Sequence, residues 1–171
     1  TAGRHKLMSK GGAITLLLLS SAAFIATTWF INPVCFWLSP VALAIVFFYS
    51  LTKRFTSFSH LFLGLALGVA PIGAWLAVRG TDLAANPWLI GHRFDLSPFI
   101  LAVSVLMWVA GFDIIYATQD HEFDKKAGLN SLVVRLGVPR SLKVAQMLHW
   151  AMLLVLVVFG VMARLGPPYF A

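Results

Sequence analysis

The chain has 171 residues, 60% of them hydrophobic and only 11% charged, with a formal net charge of +7. That balance excludes an ordinary soluble domain and fits an integral membrane protein. No basic helix interleaved with polar residues suggests nucleic-acid binding, so anionic lipid head groups are the natural partner for the excess charge.

A bilayer core takes about 20 helical residues to cross, within a range of about 17 to 25. The first apolar run, Ala13–Ile31, follows basic residues and so has the outline of a secretory signal. It is long for a signal core, and no small-residue cleavage pattern precedes Asn32; it is predicted to be a membrane span. Asn32-Pro33 reads as a tight turn, because proline disfavours helix in the residue before it. The short second run, Val34–Phe48, then pairs with the first as a helical hairpin, and its one cysteine, Cys35, offers no disulfide or zinc cluster. Three further runs follow: Leu61–Val78, Pro98–Tyr116 and Val144–Ala163. In hydrocarbon every backbone group must be paired within the protein, so all five spans are predicted to be helices. The expected fold is all-α, a multi-pass transmembrane helical bundle forming one membrane-embedded domain over residues 1–171.

Basic residues in short loops stay cytoplasmic. Arg4, Lys6, Lys10, Lys53, Arg54, Lys125, Lys126, Arg135, Arg140 and Lys143 fall on one side of the spans, and only Arg79, Arg93 and Arg164 on the other. The N-terminus, the 52–59 loop and the segment after Tyr116 are therefore expected on the cytoplasmic face, with a bacterial inner membrane as the setting.

The chain has six acids, and four of them, Asp113, Asp120, Glu122 and Asp124, lie within a dozen residues. If the fourth helix continues past Tyr116, Asp113, Asp120 and Asp124 project within about 40° of one another, with Tyr116 about 60° to one side and Glu122 pointing away. Three carboxylates on one face repel unless a cation lies between them. Oxygen ligands at that density suit Mg²⁺, which keeps several waters and is shared with substrate phosphates. A solvated helix end, its acids offset by Lys125 and Lys126, is the plainer alternative. Against it, Asp113 falls at the edge of a span, where an ionisable side chain is costly and usually functional.

The stretch DIIYATQDHEFD, Asp113 to Asp124, resembles the second aspartate-rich motif of the UbiA-type membrane prenyltransferases, D-x-x-Y-A-x-x-D-x-x-x-D. Its Tyr-Ala pair most resembles the branch that prenylates 4-hydroxybenzoate and related aromatic acids. The similarity extends to YSLTKRFT, like the loop after that family's fourth helix, to GLALGVAPIGAWLAV, like its fifth, and to KKAGLNSLVVRLG after the motif. The resemblance implies a nine-helix fold with two acidic motifs, each binding Mg²⁺ and the diphosphate of a polyprenyl donor. The first motif, N-D-x-x-D-x-x-x-D, does not occur here, and TAGR at the start resembles the residues just downstream of it. The chain also opens at Thr1 rather than Met, so it is expected to be a portion, helices three to seven, of a longer protein. HKLMSKGG departs from the proline-containing pattern of the family, so the resemblance assigns Arg4 no particular role.

By resemblance, Asp120 and Asp124 are metal ligands, and Asp113 orients the site or extends the metal shell. Lys53 and Arg54 would face the diphosphate or the acceptor's carboxylate, although positive-inside anchoring explains the same pair. Tyr49 and Tyr116 would line the substrate site, Tyr116 offering its ring face to an allylic cation. Phe112, Trp108 and Trp75 are weaker candidates, and no spacing marks His60 or His121 as a base. The implied activity is polyprenyl transfer to an aromatic acid such as 4-hydroxybenzoate in quinone biosynthesis, with these 171 residues inactive alone. A non-catalytic membrane protein or metal-binding transport module on the same fold is the competing expectation.

Overall fold

The structure is a computed structural model that describes residues 9–52, 54–85 and 96–170. Among the described residues seven α-helices follow in order: α1 (Lys10–Ile31), α2 (Pro33–Thr52), α3 (Ser59–Ala85), α4 (Ser97–Ala117), α5 (His121–Lys126), α6 (Leu132–Leu136) and α7 (Val138–Met162). A single 3₁₀ turn, Pro167–Tyr169, closes the described chain. Five of the helices, α1, α2, α3, α4 and α7, are long and apolar enough to cross a membrane, and no strand occurs among the described residues. Each of the five packs on its sequence neighbour, α4 directly on α7, with the small α5 and α6 filling the connection between them. This is the all-α membrane bundle expected from composition.

The helices outrun the apolar runs. The second span is longer than its apolar run, since α2 continues through Tyr49, Ser50, Leu51 and Thr52 to 20 residues, one fewer than α4. α3 reaches Ala85, and α7 begins at Val138. Polar residues at the membrane surface still satisfy the helical backbone, so hydropathy underestimates both ends.

Within the spans the hydroxyl groups of Ser21, Thr27, Thr28, Ser39 and Ser104 bond back to their own helices, as lipid offers them no other partner. Pro40 sits inside α2 and has no N–H to give Phe36 O; the Ser39 hydroxyl donates to that carbonyl at 2.8 Å instead. At the α1–α2 turn, Asn32 Oδ1 accepts from Cys35 N at 2.9 Å as a helix cap, while Nδ2 donates to Leu76 O on α3 at 2.9 Å. One buried side chain thus shapes the hairpin and fastens it to the third helix.

The tightest packing joins α3 to α4. Gly64 and Gly68, one turn apart, lie against the carbonyl oxygens of Leu106 and Ala102, and a Cβ at either place would collide with them. Small residues four apart let membrane helices approach closely, where lipid supplies no hydrophobic force between helices. That approach fixes α4, and α4 carries the acidic stretch.

Candidate active site

α4 ends sooner than the single-face expectation required. It stops at Ala117, where the Thr118 hydroxyl donates to Ile115 O at 2.6 Å and the chain turns before α5 begins at His121. The continuous helix to Asp124 is therefore corrected: past the membrane edge, side chains and water satisfy the freed carbonyls, and nothing compels the helix to run on. The three aspartates do not share one face of one helix. Among the described residues no group of three His, Cys, Asp or Glu side chains is placed to hold a metal.

The structure instead brings part of the set into a groove of about 500 Å³ between α3 and α4. Leu63 and Leu67 form one wall; Trp108, Phe112, Asp113, Tyr116 and Asp120 form the other. The Phe112 and Tyr116 rings meet with centroids 4.7 Å apart, and both are half exposed. Trp75, on α3, is not part of these walls. Tyr49 in the last turn of α2 lies within electrostatic range of Asp113.

Asp113 has a partner that sequence reasoning missed. His60, in the first turn of α3, sits with Nδ1 2.6 Å from Asp113 Oδ2 and is almost wholly buried. The two are 53 residues apart, and no periodicity links positions on separate helices. A histidine near the start of one span and an aspartate near the end of the next, at the same membrane face, were the available signal.

Asp120 is exposed and makes no capping bond to α5, at whose N-terminus it stands. Asp124, one turn on, is 3% exposed, and its Oδ2 is buried with no hydrogen-bond partner among the described residues. Glu122 is exposed. A buried carboxylate oxygen with no donor is unfavourable unless a cation or proton meets it. Asp120 and Asp124 therefore suit a hard divalent ion of the magnesium kind, which needs only one or two protein carboxylates beside water and phosphate oxygens.

Arg54 is exposed in the turn after α2, and its carbonyl accepts from Asn130 Nδ2 at 3.3 Å. That bond sets the 54–58 turn beside the segment following α5, so Arg54 and the acidic stretch occupy the same end of the bundle. Lys53 and Arg4 lie outside the described residues.

Comparison with known proteins accounts for this arrangement. Residues 4–171 match the model of the UbiA prenyltransferase family. A 4-hydroxybenzoate solanesyltransferase of Synechocystis is 31% identical over 80% of this chain and 42% of its own length. A 4-hydroxybenzoate octaprenyltransferase of Vibrio atlanticus is 30% identical over 96% of the chain and 53% of its own. The apo structure of a UbiA homolog from Aeropyrum pernix superposes with a TM-score of 0.87 at 29% identity, covering 96% of this chain and 58% of that one. The chain spans about half the length of the curated relatives it matches. With a family match over almost its whole length and the motif seated on a groove between close-packed helices, the chain belongs to the UbiA prenyltransferase family.

Proposed function

We propose that this chain is the helix-three-to-seven portion of an enzyme that transfers a polyprenyl group from its diphosphate to an aromatic acid such as 4-hydroxybenzoate, in quinone biosynthesis. The observation that carries this reading is the groove, which sets a carboxylate end, Asp113 and Asp120, against an aromatic wall. The relatives' names give the reaction class. The site faces the cytoplasm of a bacterial inner membrane, on the distribution of lysine and arginine.

Asp120 and Asp124 would hold Mg²⁺, which supplies neutralisation of the charge that develops on the departing diphosphate. Arg54, with Lys53, would clasp the diphosphate or the acceptor carboxylate, arginine through two parallel bonds and lysine as a point charge. As the allylic carbon–oxygen bond breaks, Tyr116 and Phe112 offer ring faces to the positive carbon and keep water from it. The acceptor ring then attacks through carbon and loses a proton. Leu63 and Leu67 give the prenyl tail an apolar wall.

The test is reconstitution of the full-length parent protein in liposomes with Mg²⁺, a polyprenyl diphosphate and 4-hydroxybenzoate. Prenylated acid is expected, and its formation should cease on chelation of the metal. A protein that binds a prenyl diphosphate analogue without magnesium, and yields no product, would instead be a non-catalytic member of the fold.

A further inference from the structure

The contact between His60 and Asp113 is not explained by packing alone. A carboxylate oxygen can only accept, so Nδ1 carries the hydrogen of the 2.6 Å bond. The imidazole is 2% exposed, and its Nε2 is buried with no partner among the described residues. Asp113 is thus the hydrogen-bond partner that orients the ring. A structural clamp between α3 and α4 would do the same, but those helices are already seated by Gly64 and Gly68. A clamp would also be sealed, whereas Asp113 keeps 19% of its side chain exposed and lines the groove beside Phe112 and Tyr116.

We infer that His60 is a positioning residue: its Nδ1–H holds the Asp113 carboxylate against the aromatic wall as the acceptor for the ring hydroxyl of the aromatic substrate. This rests on the prenyl-transfer reading. The ligand is a hydroxyl rather than the diphosphate for electrostatic reasons. A carboxylate held by a histidine repels a polyanion, while it attracts an O–H donor. Neighbouring ring faces suit a flat aromatic partner. Such a bond also pushes electron density into the ring that must attack.

In the full-length parent protein, His60→Leu removes the donor at similar volume, while His60→Asn places an amide N–H near the former Nδ1. For His60→Leu the KM for 4-hydroxybenzoate is expected to rise about tenfold, the order of one hydrogen bond to a charged group, with the KM for polyprenyl diphosphate within about twofold of wild type. His60→Asn should recover most of the loss. Should His60→Leu fail to accumulate, Asn against Gln gives the same comparison, since the Gln amide reaches toward Nε2. Both constants moving together, neither moving, or Asn no better than its comparator would overturn the inference. A second measurement does not use turnover: ¹⁵N-histidine labelling should reveal a hydrogen-bonded Nδ1–H resonance that disappears in Asp113→Ala, which has no side-chain acceptor, and its persistence there would rule out the contact. A wild-type protein that prenylates no hydroxylated acid overturns the parent reading and this inference with it. Normal wild-type turnover with unshifted constants in His60→Leu overturns this inference alone.

Discussion

Two aspartates one helical turn apart have different surroundings, and the difference predicts different behaviour. Asp120 is open to the groove, whereas Asp124 is buried with one oxygen unpartnered. In the full-length parent protein, Asp120→Asn and Asp124→Asn should each lower kcat by about a hundredfold or more, on the scale of several kcal/mol for a lost metal contact in the transition state. Glu122→Gln, on an exposed side chain, should stay within a few-fold. A Glu122 change as damaging as the others would sink the pairing of Asp120 with Asp124. Magnesium should also raise the Tm of the wild-type protein in detergent, since a ion that binds only the folded state stabilises it by mass action, and Asp124→Asn should lose most of that rise. At Arg54 the side chain is exposed and its anchoring role is shared by many other basic residues. Arg54→Ala should therefore raise the KM for polyprenyl diphosphate about tenfold while leaving the amount inserted in the membrane unchanged. Loss of insertion would show that anchoring is its main task.

At the scale of elements, the groove exists because α3 and α4 come close, and glycine permits it. A valine at Gly68 would meet the Ala102 carbonyl oxygen and force the helices apart. Gly68→Val should destabilise the bundle by about 1–3 kcal/mol, the usual range for overpacking, and lower activity by widening the groove. Gly73, on the same helix, has open space where a Cβ would stand. Gly73→Ala should leave the midpoint of thermal aggregation unchanged or slightly higher, because alanine is the better helix former by about 0.5–1 kcal/mol. Equal damage from both substitutions would mean that helix propensity, not the α3–α4 approach, governs stability. The break at Ala117 belongs to this scale too. It ends α4 three residues before α5 begins, with Asp120 lining the groove and Asp124 enclosed.

For the whole molecule, the two loops that carry the charged candidates lie at one end, joined by the Asn130–Arg54 bond. Cysteine-accessibility mapping should find positions 54–58 and 118–130 labelled from the same side, the cytoplasmic one. These 171 residues alone are expected not to catalyse prenyl transfer. On the proposed reading they supply one acidic cluster, Asp120 with Asp124, and a diphosphate leaving with that cluster alone to neutralise it lacks several kcal/mol of stabilisation, or orders of magnitude in rate at about 1.4 kcal/mol per tenfold. Liposomes holding only this chain, with Mg²⁺, a polyprenyl diphosphate and 4-hydroxybenzoate, should yield no prenylated acid; readily detected product would overturn the account of the site.

The number of spans and their order were determined by sequence alone, because hydropathy acts locally and the bilayer reads it span by span. The motif around Asp113, Tyr116, Asp120 and Asp124 was equally legible, since its spacing is written within a dozen residues. How those acids are placed relative to one another was not. A helix drawn through Asp124 ignores that the chain is free to turn once it leaves the membrane; the turn after Ala117 takes Asp120 and Asp124 off the α4 helix, with Asp120 lining the groove and Asp124 buried. The partner of Asp113 was decided by tertiary structure as well. His60 meets it because Gly64 and Gly68 let two helices approach, and a contact between residues 53 apart has no period to betray it.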